Sequence, residues 1–231
     1  MKRIFGKPEI TWLLPALIAS VLLAATLFLP LWKMELVARQ YPERLIMHAY
    51  GYKFVGDERS PYEDIREING LNHYIGMKPL EEVTEMQFFI PGVVALAIGT
   101  IVASFVIWKR RWLQWFTIGA FWTMPIFFVA DLQYWLYNFG HTLDERAPLD
   151  TGSFTPKVLG KTQVWNFHSE TSFESGFYLM IAAALVITFG PPALRMIAGL
   201  RGRLTATESP RAANRTAQPM RAGRIEQPGR S

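Results

Sequence analysis

The sequence predicts an all-α integral membrane protein built as a bundle of four transmembrane helices. Three observations support this fold class. Half of the residues are hydrophobic and 14% are aromatic, including eight Trp and sixteen Phe. Four apolar stretches are long enough to cross a hydrocarbon core about 30 Å thick, which takes roughly 20 helical residues. Clusters of Lys and Arg flank these stretches on one side of the predicted membrane.

Each span is justified by its length and by its low charge. Three of the four stretches contain no charged residue, and the remaining one carries only Asp131. Pro191 and Pro192 weaken or kink the last turns of the final span, because proline removes a helical hydrogen bond. The predicted spans are residues 12–32, 88–108, 112–134 and 177–194.

The distribution of basic residues predicts the orientation. Residues 1–11 contain three basic side chains, residues 109–111 are Lys-Arg-Arg, and residues 195–231 contain eight Arg. Because such clusters remain in the cytoplasm, both termini are predicted inside, and residues 33–87 and 135–176 outside. This describes a multi-pass membrane protein with both termini on the cytoplasmic side. Attraction to anionic lipid accounts for the basic excess, so no nucleic-acid partner is needed.

The first external segment is too long to be a simple connection, and we expect it to form a small α/β-like cap. Residues 33–38 alternate like a strand, residues 45–54 are rich in β-formers and can pair back on them, and residues 64–73 suggest a short helix. The second external segment shows no regular periodicity. The tail, residues 195–231, is predicted to be disordered because it has too few apolar residues to form a core.

The four histidines of the chain all fall in the predicted external segments. His73 and Met77 share one face if residues 71–77 are helical, and an imidazole with a thioether suits a soft ion such as Cu(I). The absence of cysteine excludes thiolate zinc and iron–sulfur sites. His141 could complete the ligand set if the two external segments meet. Alternatively, His73 is a hydrogen-bonded structural residue and Met77 contributes only packing.

Asp131 is the only carboxylate within a predicted span, and it lies close to the outer boundary. An ionisable group at that depth suggests a function. It could orient a ligating imidazole such as His141, relay a proton, or help to bind a quinol. Alternatively, it anchors the helix end at the interface by pairing with Arg146.

Several motifs together resemble a known family. The run Asn69-Gly70-Leu71-Asn72-His73-Tyr74-Ile75-Gly76-Met77 is the most specific element. With the other motifs, it resembles a small multi-span membrane protein encoded beside Sec-exported nitrous oxide reductases in bacterial denitrification gene clusters. The similarity covers roughly residues 29–178. The matching motifs are residues 29–32, 40–43, 68–77, 131–132, 137–144, 154–160 and 166–167.

The resemblance implies an accessory role, either in copper-site maturation or in electron delivery from the quinol pool to the periplasmic reductase. Three hypotheses follow. The preferred one is a copper-handling accessory protein without enzymatic turnover of its own, with His73, Met77 and His141 as metal ligands. The second is a quinol-linked electron-transfer subunit with quinone bound near Asp131. The third is a docking subunit without a cofactor, whose external cap binds a periplasmic or membrane protein partner.

Overall fold

The computed structural model describes residues 10–80, 83–106, 110–149, 151–164 and 166–216. The chain divides after Pro191 into a larger unit and a smaller one, and the described part of the smaller unit is the remainder of the last helix. Within the described residues, the α-helices are α1 (Ile10–Ala25), α2 (Asp64–Tyr74), α3 (Phe89–Ser104), α4 (Arg111–His141) and α5 (Ser175–Thr216). The strands of the same described part are β1 (Trp32–Val37), β2 (Leu45–Ala49), β3 (Phe54–Gly56), β4 (Gly160–Val164) and β5 (Phe167–Phe173). A 3-10 turn, Thr26–Phe28, follows α1, and another, Thr84–Phe88, precedes α3.

Four helical segments of the described chain are long and apolar enough to cross a membrane: Ile10–Phe28, Met86–Ser104, Arg111–His141 and Ser175–Leu200. Their packing centre contains small side chains such as Ala16, Ala19 and Ala183, which are fully buried. Small residues let helix backbones approach closely. Large apolar side chains such as Val21, Phe116 and Ile126 remain exposed on the outside of these helices. The four predicted apolar spans are therefore confirmed in length and composition.

The all-α fold class is wrong, because the five strands form one antiparallel sheet in the order β3-β2-β1-β5-β4. The expected pairing within the first segment is present, as β1 and β2 pair antiparallel. The second segment, where no periodicity was apparent, contributes β4 and β5. Six residue pairs then join β1 to β5, so the sheet combines both segments rather than the first alone.

The two faces of the sheet have opposite chemistry, as alternation along a strand requires. On β1, the side chains of Trp32, Met34 and Leu36 face one way, toward a hydrophobic core that the sheet shares with α2 and the end of α4. Lys33 and Glu35 lie on the other face, where Lys33 Nζ is 2.8 Å from Glu35 Oε1. Apolar residues of the other strands share the first face by register, together with a few polar residues of β4 and β5. The sheet therefore covers the core with a mostly apolar face and has a polar face on the opposite side.

A buried carboxylate fixes α2 against the sheet. Asp64, the first residue of α2, accepts hydrogen bonds from the Asp57 amide at 3.0 Å, the Ile46 amide at 3.3 Å and Ser60 Oγ at 2.6 Å. These donors belong to β2 and to the turn that follows β3. Because a buried acceptor without partners is costly, the three bonds hold α2 in one position beneath the sheet.

Two helices extend past the boundaries predicted for their spans. The helix α4 continues to His141, seven residues beyond residue 134, so the start of the predicted second loop is helical. The helix α5 continues to Thr216, well inside the segment predicted to be disordered. A helix already nucleated in a preceding segment extends readily through residues such as Ala, Leu and Arg. The rest of the predicted disordered tail, residues 217–231, lies outside the described residues.

The ion pairs on the polar face of the sheet predict a pH dependence. Hydrogen bonds from Lys33 and then Arg44 lower the pKa of Glu35 from its ordinary value of 4.5. A group with a lowered folded pKa stabilises the protein above its unfolded pKa and loses that contribution as the pH falls through the folded value. We expect the Tm of Glu35→Gln to lie below that of the wild type near neutral pH, with the difference shrinking below about pH 4.5.

The matched control is Glu63→Gln, because the Glu63–Arg66 pair is largely exposed to solvent. Exposed pairs contribute little, so this variant should follow the wild type at every pH. The measurement is a series of thermal unfolding curves in detergent across the acid range. A Glu35→Gln difference that is independent of pH would contradict the electrostatic explanation.

Candidate functional site

A cavity of about 130 Å³ lies beneath the apolar face of the sheet. Residues of all five strands form one side, as the alternation of the strands predicts. Ile68 and Leu71 of α2 line it as well. The last three turns of α4 contribute Leu132, Trp135 and Phe139. The cavity is therefore assembled from both segments that separate the apolar helices.

The lining of this cavity is mostly apolar and aromatic, with a few polar side chains. Among the described residues that line it, Asp131 is the only ionisable one, and the polar groups Asn72, Thr162 and Ser169 accompany it. Trp32 lines the cavity and donates its Nε1–H to the carbonyl oxygen of Val158 at 2.7 Å. An apolar cavity with a few convergent polar groups is the usual form of a small-molecule site.

Four methionines, Met34, Met47, Met77 and Met86, also line the cavity. Met34 and Met47 are directly opposite each other in the register of β1 and β2. Directly paired residues point to the same face with their Cβ atoms about 5 Å apart. Thioethers from two strands and from the link between α2 and α3 therefore converge on one space.

The helix α2 ends in a glycine motif that decides where Met77 lies. Gly76 has a φ of 81°, its amide donates to the His73 carbonyl oxygen, and the Met77 amide donates to the Asn72 carbonyl oxygen at 2.7 Å. This is the Schellman pattern, in which a glycine in the left-handed conformation ends a helix. The segment 71–77 is therefore not continuously helical, and the expected shared helix face of His73 and Met77 does not form.

The structure places the predicted site residues in different surroundings. Met77 is partly buried and lines the cavity together with Asp131. His73 is exposed on α2 and does not line the cavity. His141 lies in the last turn of α4 and lines a separate depression that includes Asp144 and Glu145. Within the described chain, no three His, Asp or Glu side chains are grouped closely enough to hold a metal ion.

His141 is held in one tautomer by its own helix. Its Nδ1 lies 2.9 Å from the Tyr137 carbonyl oxygen, which can only accept, so Nδ1 carries the proton. The ring also stacks on Tyr137 with a centroid separation of 3.9 Å. Nε2 is then the nitrogen able to accept a proton or to ligate a metal.

A glycine joins the two segments at the point where they meet. The Asp144 amide of the second segment donates to the Gly76 carbonyl oxygen of the first at 2.9 Å. Within the second segment, the Phe154 amide donates to the Gly140 carbonyl oxygen at 3.0 Å, and a Cβ on Gly140 would lie 1.9 Å from the Phe154 carbonyl oxygen. The expectation that the two segments meet is therefore confirmed, with Gly76 at the junction.

Sequence reasoning missed the contribution of the second segment to the cavity. Thr162 and Ser169 occupy inward positions of β4 and β5, so no apolar alternation marks these strands. A signal did exist for the extension of α4, because Leu132, Trp135, Leu136 and Phe139 follow the i, i+3, i+4, i+7 spacing of an apolar helix face. Read in that way, the sequence would have placed the motif around His141 at a helix end.

No protein-family model matches this chain, and the comparison with curated proteins gives no match. The similarity to the membrane protein of denitrification clusters therefore stays a prediction. The structure shows four apolar helices long enough to cross a membrane, the shorter helix α2, and a sheet that is built from both intervening segments and covers a cavity.

The helix-ending motif predicts the effect of substituting its glycine. Gly76→Ala should lower the free energy of unfolding by about 1–3 kcal/mol, because φ is positive and the new Cβ would lie 2.9 Å from the Asp144 backbone. The control is Gly70→Ala within α2, where a Cβ meets nothing within 4 Å. That change should stabilise the protein by roughly 0.5–1 kcal/mol.

Thermal unfolding of both variants in detergent, followed by tryptophan fluorescence, gives the comparison. The prediction is opposite shifts of Tm for two Gly→Ala changes six positions apart in the chain. Equal shifts in the same direction would contradict the assigned role of Gly76.

Proposed function

We propose that this chain is a multi-pass protein of a bacterial cytoplasmic membrane that binds a quinol-class ligand in the cavity beneath the sheet. The single observation that supports this most is Asp131, the one ionisable side chain among the described residues lining an otherwise apolar and aromatic cavity. A quinol combines an apolar aromatic ring with hydroxyl groups that donate hydrogen bonds. Its chemistry matches that of the lining.

The position of the cavity relative to the bilayer supports the same proposal. The 31 residues of α4 extend for about 46 Å at 1.5 Å per residue, more than the 30 Å or so of a hydrocarbon core. Counted from Arg111, about 20 residues reach Asp131. The remaining turns of α4 then project outward and contribute to the cavity. A quinol could enter from the membrane, where quinols dissolve.

The topology proposed from the basic residues fits the sheet. Strands β1 to β3 follow the first apolar helix, and β4 and β5 follow the third. Two segments that share one sheet must lie on the same side of the membrane, as they do if the chain crosses four times. With the Lys109-Arg110-Arg111 cluster in the cytoplasm, the sheet is periplasmic.

In this proposal, the residues of the chain bind and orient the ligand. The Asp131 carboxylate would accept a hydrogen bond from a quinol hydroxyl and take up the proton of that hydroxyl when the quinol is oxidised to quinone. The second proton would pass to water, and both electrons would pass to the redox partner protein. Trp32 and Trp135 line the cavity and offer aromatic surfaces to the ring. The periplasmic partner would dock on the domain formed by the sheet and α2, as expected of an accessory subunit of a periplasmic reductase.

A second candidate is the copper-handling accessory function, in support of a periplasmic copper oxidoreductase. The observation that favours it is that Met77, one of the proposed ligands, lines the cavity with three other thioethers. His73 and His141 remain proposed ligands in this version. They do not line the cavity that contains Met77.

The quinol proposal predicts that Asp131→Asn weakens ligand binding. A hydrogen bond to a charged group contributes about 1.5–3 kcal/mol, which corresponds to a roughly 10- to 100-fold loss of affinity. The measurement is quenching of tryptophan fluorescence by a short-chain quinol added to purified, metal-free protein. Extraction of the purified wild type should also recover quinone.

The matched control is Asp144→Asn, because Asp144 lines the separate depression beside His141. Its carboxylate accepts the Arg146 amide at 2.9 Å, a bond that asparagine can retain. This variant should bind the quinol as the wild type does. Equal affinities for the wild type and Asp131→Asn, or no quenching at all, would exclude the cavity as a quinol site.

A further inference from the structure

We propose that Met34, Met47, Met77 and Met86 form a thioether site for a soft monovalent cation, with Cu(I) as the ion. This site differs from the set of His73, Met77 and His141 predicted from spacing, with which it shares only Met77. It goes beyond the quinol proposal and does not depend on it.

The register brings the first two thioethers together. Met34 and Met47 are direct partners in antiparallel β1 and β2, and both side chains line the cavity. With Cβ atoms about 5 Å apart, two unbranched side chains can bring both sulfur atoms to one ion. The backbone of the sheet fixes this pair, which is held in place on either side by β3 and β5.

The other two thioethers come from the segment that links α2 to α3. The glycine turn at Gly76 ends α2 and allows Met77 to line the cavity. Met86 lies in the 3-10 turn before α3 and lines the same cavity. The chain has nine methionines, and all four that lie between α1 and α3 line this one space.

Packing alone does not explain this arrangement well. Methionine is common in cores because its flexible side chain fills irregular gaps. Here four methionines, together with other apolar and aromatic side chains, line a space of about 130 Å³ that stays open. Four thioethers around an open space are better suited to a ligand than to gap filling.

The chemistry of the donors selects the ion. Thioethers are soft, neutral ligands that favour Cu(I) over hard cations such as Mg²⁺ or Ca²⁺. An ion held by neutral sulfur atoms keeps its positive charge, which is costly in an apolar cavity. Asp131 lines the cavity and supplies the opposite charge. This role for Asp131 is electrostatic and requires no bond to the ion.

The absence of titrating ligands gives the site a distinctive property. Imidazole must lose its proton to bind a metal, so a histidine site weakens as the pH falls through about 6.5. Thioethers carry no such proton. Binding through the four methionines should therefore be nearly unchanged between pH 7 and about pH 5.5.

The test is a competition for Cu(I) between the full-length purified protein and a chromophoric Cu(I) chelator, under anaerobic reducing conditions at both pH values. We expect one Cu(I) per chain. The variant Met34→Leu/Met47→Leu keeps the side-chain volume nearly constant. Because it removes two ligands, its affinity for Cu(I) should fall by more than the roughly 10- to 100-fold that is typical when a residue supporting a metal ligand is lost. Met77→Leu alone should also lower the affinity for Cu(I), so the prediction can be tested even if the double variant fails to fold.

Two control variants separate the alternatives. Met124→Leu/Met196→Leu changes two methionines that do not line the cavity and should leave Cu(I) binding unchanged. His73→Ala/His141→Ala should also retain Cu(I) with the wild-type affinity. Loss of binding in the histidine variant, wild-type affinity in both methionine variants of the cavity, or no binding by the wild type would overturn the proposal. Because quinol binding is measured without metal, the two proposals can fail independently.

Discussion

Six residue pairs between β1 and β5 join two segments that are far apart in the sequence, and the candidate site exists only because these strands pair. The β1 strand begins shortly after α1, and β5 ends just before α5. The pairing therefore also ties together the ends of two apolar helices. Without it, the inward residues of β4 and β5 would not reach the cavity, and Met34 and Met47 would have no cover on that side.

The elements around this sheet are held against it through a few specific contacts. Buried Asp64 fixes α2 by three hydrogen bonds, and Gly76 turns the chain from α2 toward the cavity. The backbone contact of Gly76 with Asp144 then brings the second segment against the first. The cavity is thus enclosed by local turns and by pairing between distant strands, with α4 contributing its last turns.

The sequence allowed the local features to be predicted and left the non-local ones open. Long apolar runs predict the four helices, and alternation predicts β1 and β2. The strands β4 and β5 escaped prediction because Thr162 and Ser169 occupy inward positions where an apolar residue would have given a signal. For the site, the motifs pointed to Met77 and Asp131, which line one cavity, and to His73 and His141, which do not. The spacing of His73 and Met77 suggested a shared helix face, and that prediction was wrong because the Gly76 motif ends the helix before Met77.

The most direct test of this account is a disulfide across β1 and β5, and the absence of natural cysteine makes the chain well suited to it. Val37 and His168 are register partners on the outer face of the sheet. Paired Cα atoms in antiparallel strands are about 4.5–5.5 Å apart, within the range of disulfides. Val37→Cys/His168→Cys should therefore cross-link upon oxidation in membranes, whereas Val37→Cys/Ser169→Cys should not, because Ser169 faces the cavity. No cross-link in the first variant, or equal cross-linking in both, would contradict the shared sheet and with it the cavity.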